Sequence, residues 1–488
     1  MRLEDTGVIG GAEGPRLPGE AQVNPTDTGL PLAEGMSLSY WLQGVRNRPL
    51  LNARTTEELP KEADVVVIGS GITGSLAALK LLESENPPKS VVVLEAREFC
   101  SGATGRNAGH CRPDQYRGFA KYSILHGPEQ ALKIMDNERE TWEKVVQYVK
   151  DENVDCDLWV GKSYEVSMTP DVAEQATKIY ADVVAAGGKT DNITVVTDPA
   201  EAEKISRLKG AQAVYYWDAS TLYPWKLAAH VAGKALDLGL NIQTWTPVTA
   251  VTEAPSSPGQ WNVETARGII TTPTVLYATN AYTGALLPET RGAIRPVPHM
   301  CNKVVPPTSF SGSKALQNSY GVIYPNGFFS VNPRPTSDGI VLVGGWNYNY
   351  PALVEHVAQD SSRRYNDGLT NFEPVTDAVK ELTQDKFGWA DQTGPGTKAN
   401  YDYAWSGIIG RSSDEVPFIG AVPGKEGQWI CAGHNGHGMA RIFTAAPGIV
   451  KLMQGATWAE TGLPECFEVS EERLARLAKA DIKIDIVQ

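Results

Sequence analysis

A chain of 488 residues is longer than one ordinary hydrophobic core supports, so two domains, consecutive or interleaved, are expected. Apolar residues at 42% and charged residues at 21% argue against a disordered chain. The net charge of −13 disfavours nucleic acid and anionic membrane surfaces as partners, because both would repel it.

Residues 1–35 are rich in Gly, Pro, Asp and Glu and are expected to form an irregular surface arm, whereas Tyr40-Trp41-Leu42 and Leu50-Leu51 supply apolar anchors that dock residues 36–60. No basic start followed by an apolar run marks a secretory leader, and no stretch approaches the ~18 apolar residues of a membrane helix. Ile486-Val487-Gln488 is not a peroxisomal or retention address, so a soluble cytoplasmic protein is expected. The cysteines Cys100, Cys111, Cys156, Cys301, Cys431 and Cys466 lack CxxC or Cys/His spacing, which argues against a metal site and against a disulfide framework.

The first clear unit is βαβ. Asp64–Ile68 is a short, continuous apolar run, as in a strand buried on both faces of a parallel sheet. Glycines follow, then a helix over Ile72–Glu83, a break at Pro87-Pro88, and a second buried strand over Ser90–Glu95. The segment 140–186 reads as mostly helical. Pro224–Leu238 reads as an amphipathic helix opened by proline, followed by strands over Asn241–Thr244 and Val248–Thr252. Runs at Gly268–Thr271, Thr274–Ala278, Gly327–Val331 and Ile340–Val343 suggest the antiparallel or mixed sheet of a second domain. A last strand, Trp429–Ala432, runs through a Gly-rich turn into a helix near Ala440–Met453.

Gly69-Ser70-Gly71-Ile72-Thr73-Gly74 is GxGxxG in its full context: a buried strand before it, a helix after it, and Glu95 ending the next strand. Gly69 permits the tight turn, Gly71 lets backbone approach a pyrophosphate, and Gly74 lets the helix pack close to the sheet. The helix N-terminus then presents unpaired N–H groups to the phosphates, while Glu95 accepts from both hydroxyls of an adenosine ribose. After Glu95 comes the small, Gly-rich loop 96–110, able to wrap a second side of a pyrophosphate.

The run Ser101-Gly102-Ala103-Thr104-Gly105-Arg106-Asn107-Ala108-Gly109-His110 resembles the S-G-x-S/T-G-R-N-A/G-G pattern of the D-amino-acid oxidase-like family of FAD oxidoreductases, which includes sarcosine, glycine and γ-glutamylputrescine oxidases. Thr246-Pro247-Val248, Leu276–Ala281, Trp405-Ser406-Gly407 with Asp414–Gly420, and Ala432–Met439 resemble further family segments in the right order, over residues 62–455. The resemblance implies an α/β fold, with a Rossmann-type FAD-binding domain interleaved with an α+β substrate domain built on a mixed or antiparallel sheet. The expected division is an arm at 1–60, the FAD domain at 61–135, 225–295 and 400–455, the substrate domain at 136–224 and 296–399, and a C-terminal helical tail at 456–488.

The resemblance also implies site residues. Gly69, Gly71, Ile72, Thr73, Gly74 and Glu95 would hold the adenosine end of FAD. Ala96, Arg97, Ser101, Ala103, Thr104, Arg106, Asn107, Ala108, Gly109 and His110 would line the loop. Val248 would hold adenine through its backbone, and Thr279 and Asn280 would close the FAD domain. Gly407, Gly436, His437, Gly438 and Met439 would approach the flavin ring, where exposed amides stabilise the negative charge of its reduced form.

Amine-oxidising relatives need no dedicated base, and no catalytic triad is evident here. His110 and Arg112 should approach the flavin face, either to polarise it or touch substrate, or merely to contact phosphate or solvent. His437 is a candidate orienting group and Trp405 a candidate wall of an amine pocket, with plain core packing the alternative for Trp405. Tyr324, Asn332, Arg334 and Trp346 fall where relatives place substrate contacts, with packing or surface placement the alternative for each.

Departures matter as much. The arginine and lysine that clamp a carboxylate in sarcosine oxidase-like enzymes fall at Gln115 and Ala440, with Arg441 one step beyond. The positions of covalent flavin attachment fall at about Gly407 and near Asn107, so non-covalent FAD is expected. A lysine associated with oxygen activation falls near Leu342. The leading expectation is oxidation of a small amine or amino acid to an imine, with oxygen as acceptor and hydrogen peroxide as product. A flavin dehydrogenase of a 2-hydroxy acid or polyol phosphate, feeding a quinone or carrier, is the alternative. A monooxygenase is disfavoured by the lack of a second dinucleotide fingerprint, and a non-catalytic flavoprotein is the outsider. Oligomeric state is left open.

Overall fold

The computed structural model describes residues 29–391 and 398–479. Most of the irregular arm expected at 1–35, the C-terminal tripeptide and the end of the expected helical tail lie outside them.

Two consecutive apolar tetrads seed the first sheet. Val65–Ile68 and Val91–Leu94 pair in parallel and are buried on both faces. Six strands run in the order Phe418–Ala421, Gln428–Ala432, Thr274–Tyr277, Val65–Ile68, Val91–Leu94, Asn241–Gln243, all parallel except the Phe418–Ala421 edge. The two-residue period of a strand divides the tetrads cleanly. Val65, Val67, Val91 and Val93 face a core shared with helices Ile72–Leu82, Pro224–Asp237 and Ile442–Met453, the first of which packs on the other two. Val66, Ile68, Val92 and Leu94 face a core closed by a three-stranded antiparallel sheet, Gly268–Thr272, Trp261–Thr265 and Val248–Glu253.

The strand Thr274–Tyr277, expected in a second-domain sheet, instead pairs with Val65–Ile68, and Gly268–Thr272 joins the small sheet. The run is apolar on both faces because it is central and parallel, not because it belongs to an antiparallel layer.

The second large sheet has nine strands. Its path is Asn400–Arg411, Arg295–Val305, Val341–Gly344, Gly327–Pro333, Ser319–Tyr324, Trp159–Ser167, Ala213–Thr221 and His110–Cys111, with Thr194–Val196 beside Ala213–Thr221. It is mixed, since Ser319–Tyr324 and Trp159–Ser167 run parallel. Segment 140–186 is not helical throughout: the helices Pro128–Asp151 and Pro170–Ala185 flank the strand Trp159–Ser167. Among the described residues no helix is long and apolar enough to cross a membrane.

A buried ion triad ties these parts together. Asp367 takes a bidentate pair from Arg97, with both contacts at 2.9 Å, and a third contact from Arg106 Nε at 3.1 Å. Arg106 also donates to the carbonyls of Ser101 and Ser406 and to Ser37 Oγ, so four chain segments meet around this ion cluster. Removing one member of a buried ionic cluster leaves its partners charged and unpaired, at about 3–5 kcal/mol. Asp367→Ala is therefore expected to lower the unfolding free energy by about that amount, read from denaturant midpoints at constant slope. A loss below 1 kcal/mol would show that the arginines find other partners.

Candidate active site

The glycines after Val65–Ile68 sit where the sheet order turns, at the carboxyl ends of the strands, the usual crevice for a nucleotide in such sheets. Their spacing is steric. Gly69 has φ +109°, and a Cβ there would lie 2.7 Å from the Ala278 carbonyl oxygen. At Gly74 a Cβ would lie 1.9 Å from the Gly69 carbonyl, so the helix touches the turn. Helix Ile72–Leu82 has no side-chain cap at Gly71, although the Ile72 N–H reaches Thr104 Oγ1 at 3.1 Å. Gly71, Ala278, Thr279 and Asn280 keep accessible surface around this point. Glu95 holds the turn: its Oε2 accepts from the Ser70 N–H and hydroxyl, and its Oε1 from the Arg97 N–H. Oε1, with a single donor, retains a lone-pair direction for a ribose hydroxyl, whereas Oε2 has both of its own engaged by Ser70. Bare backbone, a free helix N-terminus and a ribose acceptor fit the adenosine diphosphate half of FAD.

Not every loop residue expected at this site faces it. Arg97 and Arg106 turn away into the Asp367 triad, because a buried guanidinium needs a carboxylate and Asp367 is inside the same core. Ser101 is buried, and its carbonyl is taken by Arg106. Trp405 has no accessible surface and donates its indole N–H to the Arg106 carbonyl at 2.8 Å, so it is core and not a pocket wall. Ala96, Thr104, Asn107 and Ala108 are half-buried, and Ala103 is exposed at the cradle rim. Thr73 is buried in the first turn of the helix, and Val248 packs its side chain under the sheet. Asn280 Oδ1 accepts from the N–H groups of Gly433 and His434, so it fixes the turn after Gln428–Ala432.

The loop leads into a chamber against the large sheet. Residues paired across antiparallel strands share a face, and the register puts His299 opposite Gly407 and Ser330 opposite Gly344. A Cβ on Gly344 would lie 3.3 Å from Ser330 Oγ and 3.6 Å from His299 Nε2. Asn332, on the same face, donates to the Ala108 carbonyl at 2.6 Å. His110, His299 and Ser330 are enclosed yet keep accessible surface, as residues lining an internal space do. Trp346 stands behind His299, with ring centroids 5.7 Å apart.

Tyr324 is not there. Gly321 lies against Arg112 on the chamber face, and Tyr324, three residues on, points to the opposite face, where it packs with Phe329 and Tyr348. A strand reverses its side chains at every residue, so odd spacing cannot share a face. Arg334 is also spent: it pairs with Asp157 at 2.8 Å and lies over the Trp41 ring. Arg112 pairs with Glu165 at 2.9 Å and lies over Trp217.

The glycine-rich turn gives its two histidines different surroundings. His437 is drawn to the buried carboxylate of Glu138, with Nδ1 3.1 Å from Oε1, beside Arg441 at 2.9 Å. Both ring nitrogens of His434, in contrast, are buried without a partner. So are His110 Nε2 and His299 Nδ1. Buried polar atoms left open in this way are the groups a ligand satisfies. Burial pushes His110 down to about 3, His299 to about 4 and His434 to about 3, with Arg112, Arg411 and Arg441 respectively adding to the effect. All three are neutral near pH 7. His299 and His434 were not among the expected contacts. His434 stands in the quoted turn motif, and its signal was the second histidine there. Nothing local marked His299. Gly436 and Gly438 lie at the mouth of the turn, and the Met439 carbonyl accepts from the Cys111 thiol.

Residues 64–453 match the family described as FAD dependent oxidoreductase, abbreviated DAO. The chain is 24% identical over 393 residues to a probable oxidoreductase OrdL of Rhizobium meliloti, covering 78% of this chain and 80% of that one. It is 25% identical over 397 residues to the γ-glutamylputrescine oxidoreductase of Escherichia coli, covering 80% and 84%. In fold it is similar to a crystal structure of glycine oxidase from Geobacillus kaustophilus, at TM-score 0.64 and 18% identity, covering 84% of this chain and 99% of that one.

The histidines set a pH dependence. Their folded values lie below the ordinary 6.5, so the stability they contribute is complete above pH 6.5 and is lost as pH falls towards 3–4. Each adds a slope of up to about 1.4 kcal/mol per pH unit in that window. Unfolding free energy measured from pH 7 to 4.5 is expected to fall with protons taken up on unfolding, and His299→Gln to remove about one of them. An unchanged slope in His299→Gln would refute the assignment for that ring.

Proposed function

The chain belongs to the DAO family of FAD-dependent oxidoreductases, and on that premise we propose that it oxidises the carbon–nitrogen bond of a small amine or amino acid to an imine. Water then hydrolyses the imine, and oxygen is the electron acceptor, giving hydrogen peroxide. The single observation that carries this reading is the neutral chamber: His110 and His299 are held uncharged beside Ser330, while Arg112 and Arg411 are each paired, with Glu165 and Glu415.

Such a space disfavours an ammonium relative to the free amine, and only the free amine has the lone pair that drives loss of hydride. When bound, FAD supplies the acceptor for that hydride. The protein's part is to bind, orient and exclude water. Gly69, Gly71 and the Ile72–Leu82 N-terminus would hold the pyrophosphate, with Thr104 on its second side, and Glu95 the ribose. Gly436 and Gly438 would offer backbone at the flavin edge, with the open His434 imidazole as a neutral partner. His110 Nε2, His299 Nδ1 and Asn332 Oδ1 are the open polar atoms nearest the chamber. Trp346 backs the His299 wall.

The carboxylate clamp of sarcosine oxidase-like enzymes has no counterpart at the aligned positions. Gln115 is buried and bonded to Asp114 and Asn192, Ala440 has no charge, and Arg441 is committed to Glu138. A larger or less acidic amine is therefore favoured over a small N-methyl amino acid, in keeping with the likeness to an oxidoreductase of γ-glutamylputrescine. FAD would be held without a covalent link, since Gly407 has no side chain and the Asn107 amide is bonded to Ala103 and Thr104 carbonyls.

One observation favours the second reading, a dehydrogenase of a hydroxy acid or polyol phosphate. The open, neutral Nε2 of His110 is placed as a base, which an alcohol needs and a free amine does not.

Anaerobic bleaching of the flavin by a panel of amines, amino acids and hydroxy acids tests the proposal. Bleaching by nitrogen compounds, with His110→Ala changing the rate less than about tenfold, is expected. Bleaching by hydroxy acids alone, with His110→Ala slowing it by the 10²–10⁴ typical of a lost base, would establish the second reading. Acid precipitation is expected to leave all the FAD in the supernatant. Gly71→Val should yield folded protein without FAD, because its side chain would fill the space beside Thr104, where a Cβ already lies 3.2 Å from Oγ1.

A further inference from the structure

The loop that follows the phosphate turn is held by its carbonyls. Gly105 O accepts from Ser39 Oγ, Arg106 O from Trp405 Nε1, Asn107 O from Trp41 Nε1 at 2.6 Å, Ala108 O from Asn332 Nδ2, and Gly109 O from the Leu222 N–H. Five successive peptides are thus gripped by side chains or backbone from four separate regions. Two of the donors, Ser39 and Trp41, precede the first strand of the nucleotide sheet.

In a trans peptide the carbonyl and the N–H point to opposite sides, and no peptide here is cis. Gripping a carbonyl therefore aims the N–H joined to it. Along this loop most of those N–H groups are already spent. Arg106 and Asn107 donate to the Ala103 carbonyl, and Gly109 donates to Asn107 Oδ1. The Ala108 N–H is different: it makes no hydrogen bond within the described residues, and Ala108 keeps accessible surface. Its peptide is the one whose carbonyl Trp41 holds. Trp41 itself is fully buried, locked by its contacts with Tyr223 and Arg334. A Cβ on Gly109 would lie 2.7 Å from the Trp41 ring, so the indole stands directly behind the loop.

We infer that Trp41 is a positioning residue of the cofactor site: by fixing the Asn107 carbonyl it aims the open Ala108 N–H at a hydrogen-bond acceptor of bound FAD. The segment 37–45 is then part of the site, although it lies outside the nucleotide-binding unit in sequence. The inference rests on the reading that the glycine cradle holds FAD, which Gly71→Val tests independently.

Trp41→Phe keeps an aromatic ring but removes the indole N–H together with the five-membered half of the indole, so a control with the same loss of volume is needed. Trp405→Phe makes the same change one peptide earlier, where the N–H on the held peptide, that of Asn107, is already bonded to Ala103. The measurement is the rate of FAD release from diluted holoenzyme, followed by the rise of free FAD fluorescence, with thermal midpoints recorded alongside. Loss of one aimed hydrogen bond is expected to speed release about tenfold in Trp41→Phe and less than about threefold in Trp405→Phe, at similar thermal midpoints. A lowered flavin midpoint potential in Trp41→Phe would put the acceptor on the flavin ring, and an unchanged one on the phosphates; both support the aiming role. Equal acceleration in the two variants would reduce both tryptophans to general loop stiffness and overturn the inference. So would release from Trp41→Phe at the wild-type rate.

Discussion

One carboxylate, Asp367, sits where the architecture needs a single point of agreement. The first sheet ends in a loop carrying Arg97 and Arg106, the second sheet delivers the Ser406 carbonyl, and the chain ahead of both brings Ser37. Two guanidiniums and one carboxylate leave a net positive charge in a buried space, which only dense hydrogen bonding tolerates. That bonding is present in the carbonyls of Ser101 and Ser406. The loop between Arg97 and Arg106 is therefore not a flexible flap over a nucleotide. It is tied at both ends to the interior, and its intervening residues have their position set before any ligand arrives.

The same economy of charge shapes the chamber. Every guanidinium near it is met by a carboxylate: Arg112 by Glu165, Arg411 by Glu415, Arg441 by Glu138. What remains open is neutral imidazole, hydroxyl and amide. Such a lining presents shape and hydrogen-bond pattern rather than net charge. The turn that follows Gln428–Ala432 shows how close the alternatives are. Of its two histidines, three residues apart, one is captured by Glu138 and the other is left with both nitrogens unpartnered.

The nucleotide cradle was legible because its determinants are local. Two apolar tetrads, three glycines and one glutamate fall within some thirty residues, and each is explained by the backbone geometry of that stretch. Motifs further along carried the flavin assignment. Partners distant in sequence were not legible: Arg97 and Arg106 look like phosphate ligands until Asp367 is seen, and nothing near His437 signals its pairing with Glu138. Face was lost as well as distance. Tyr324 was one residue out of phase with the chamber, a difference that appears only when register with Gly327–Pro333 is known. The strand Trp159–Ser167 was hidden between two helices, and its polar alternation gave no apolar run to find. Trp41 read as an apolar anchor, which it is, but its indole N–H carries the larger meaning.

The order of strands in the first sheet has a consequence for biogenesis. Val65–Ile68 lies between Val91–Leu94 and Thr274–Tyr277, and Gln428–Ala432 lies beyond Thr274–Tyr277. A ribosome delivers the glycine turn early and the strand that completes its sheet very late. Until Asn241–Gln243 and Thr274–Tyr277 emerge, the nascent βαβ unit exposes two apolar edges with no neighbour, the kind of surface that recruits chaperones and invites aggregation. Asn280 and the turn at Gly433 and His434 that it fixes come later still, so the cradle is complete only once nearly the whole chain has been made.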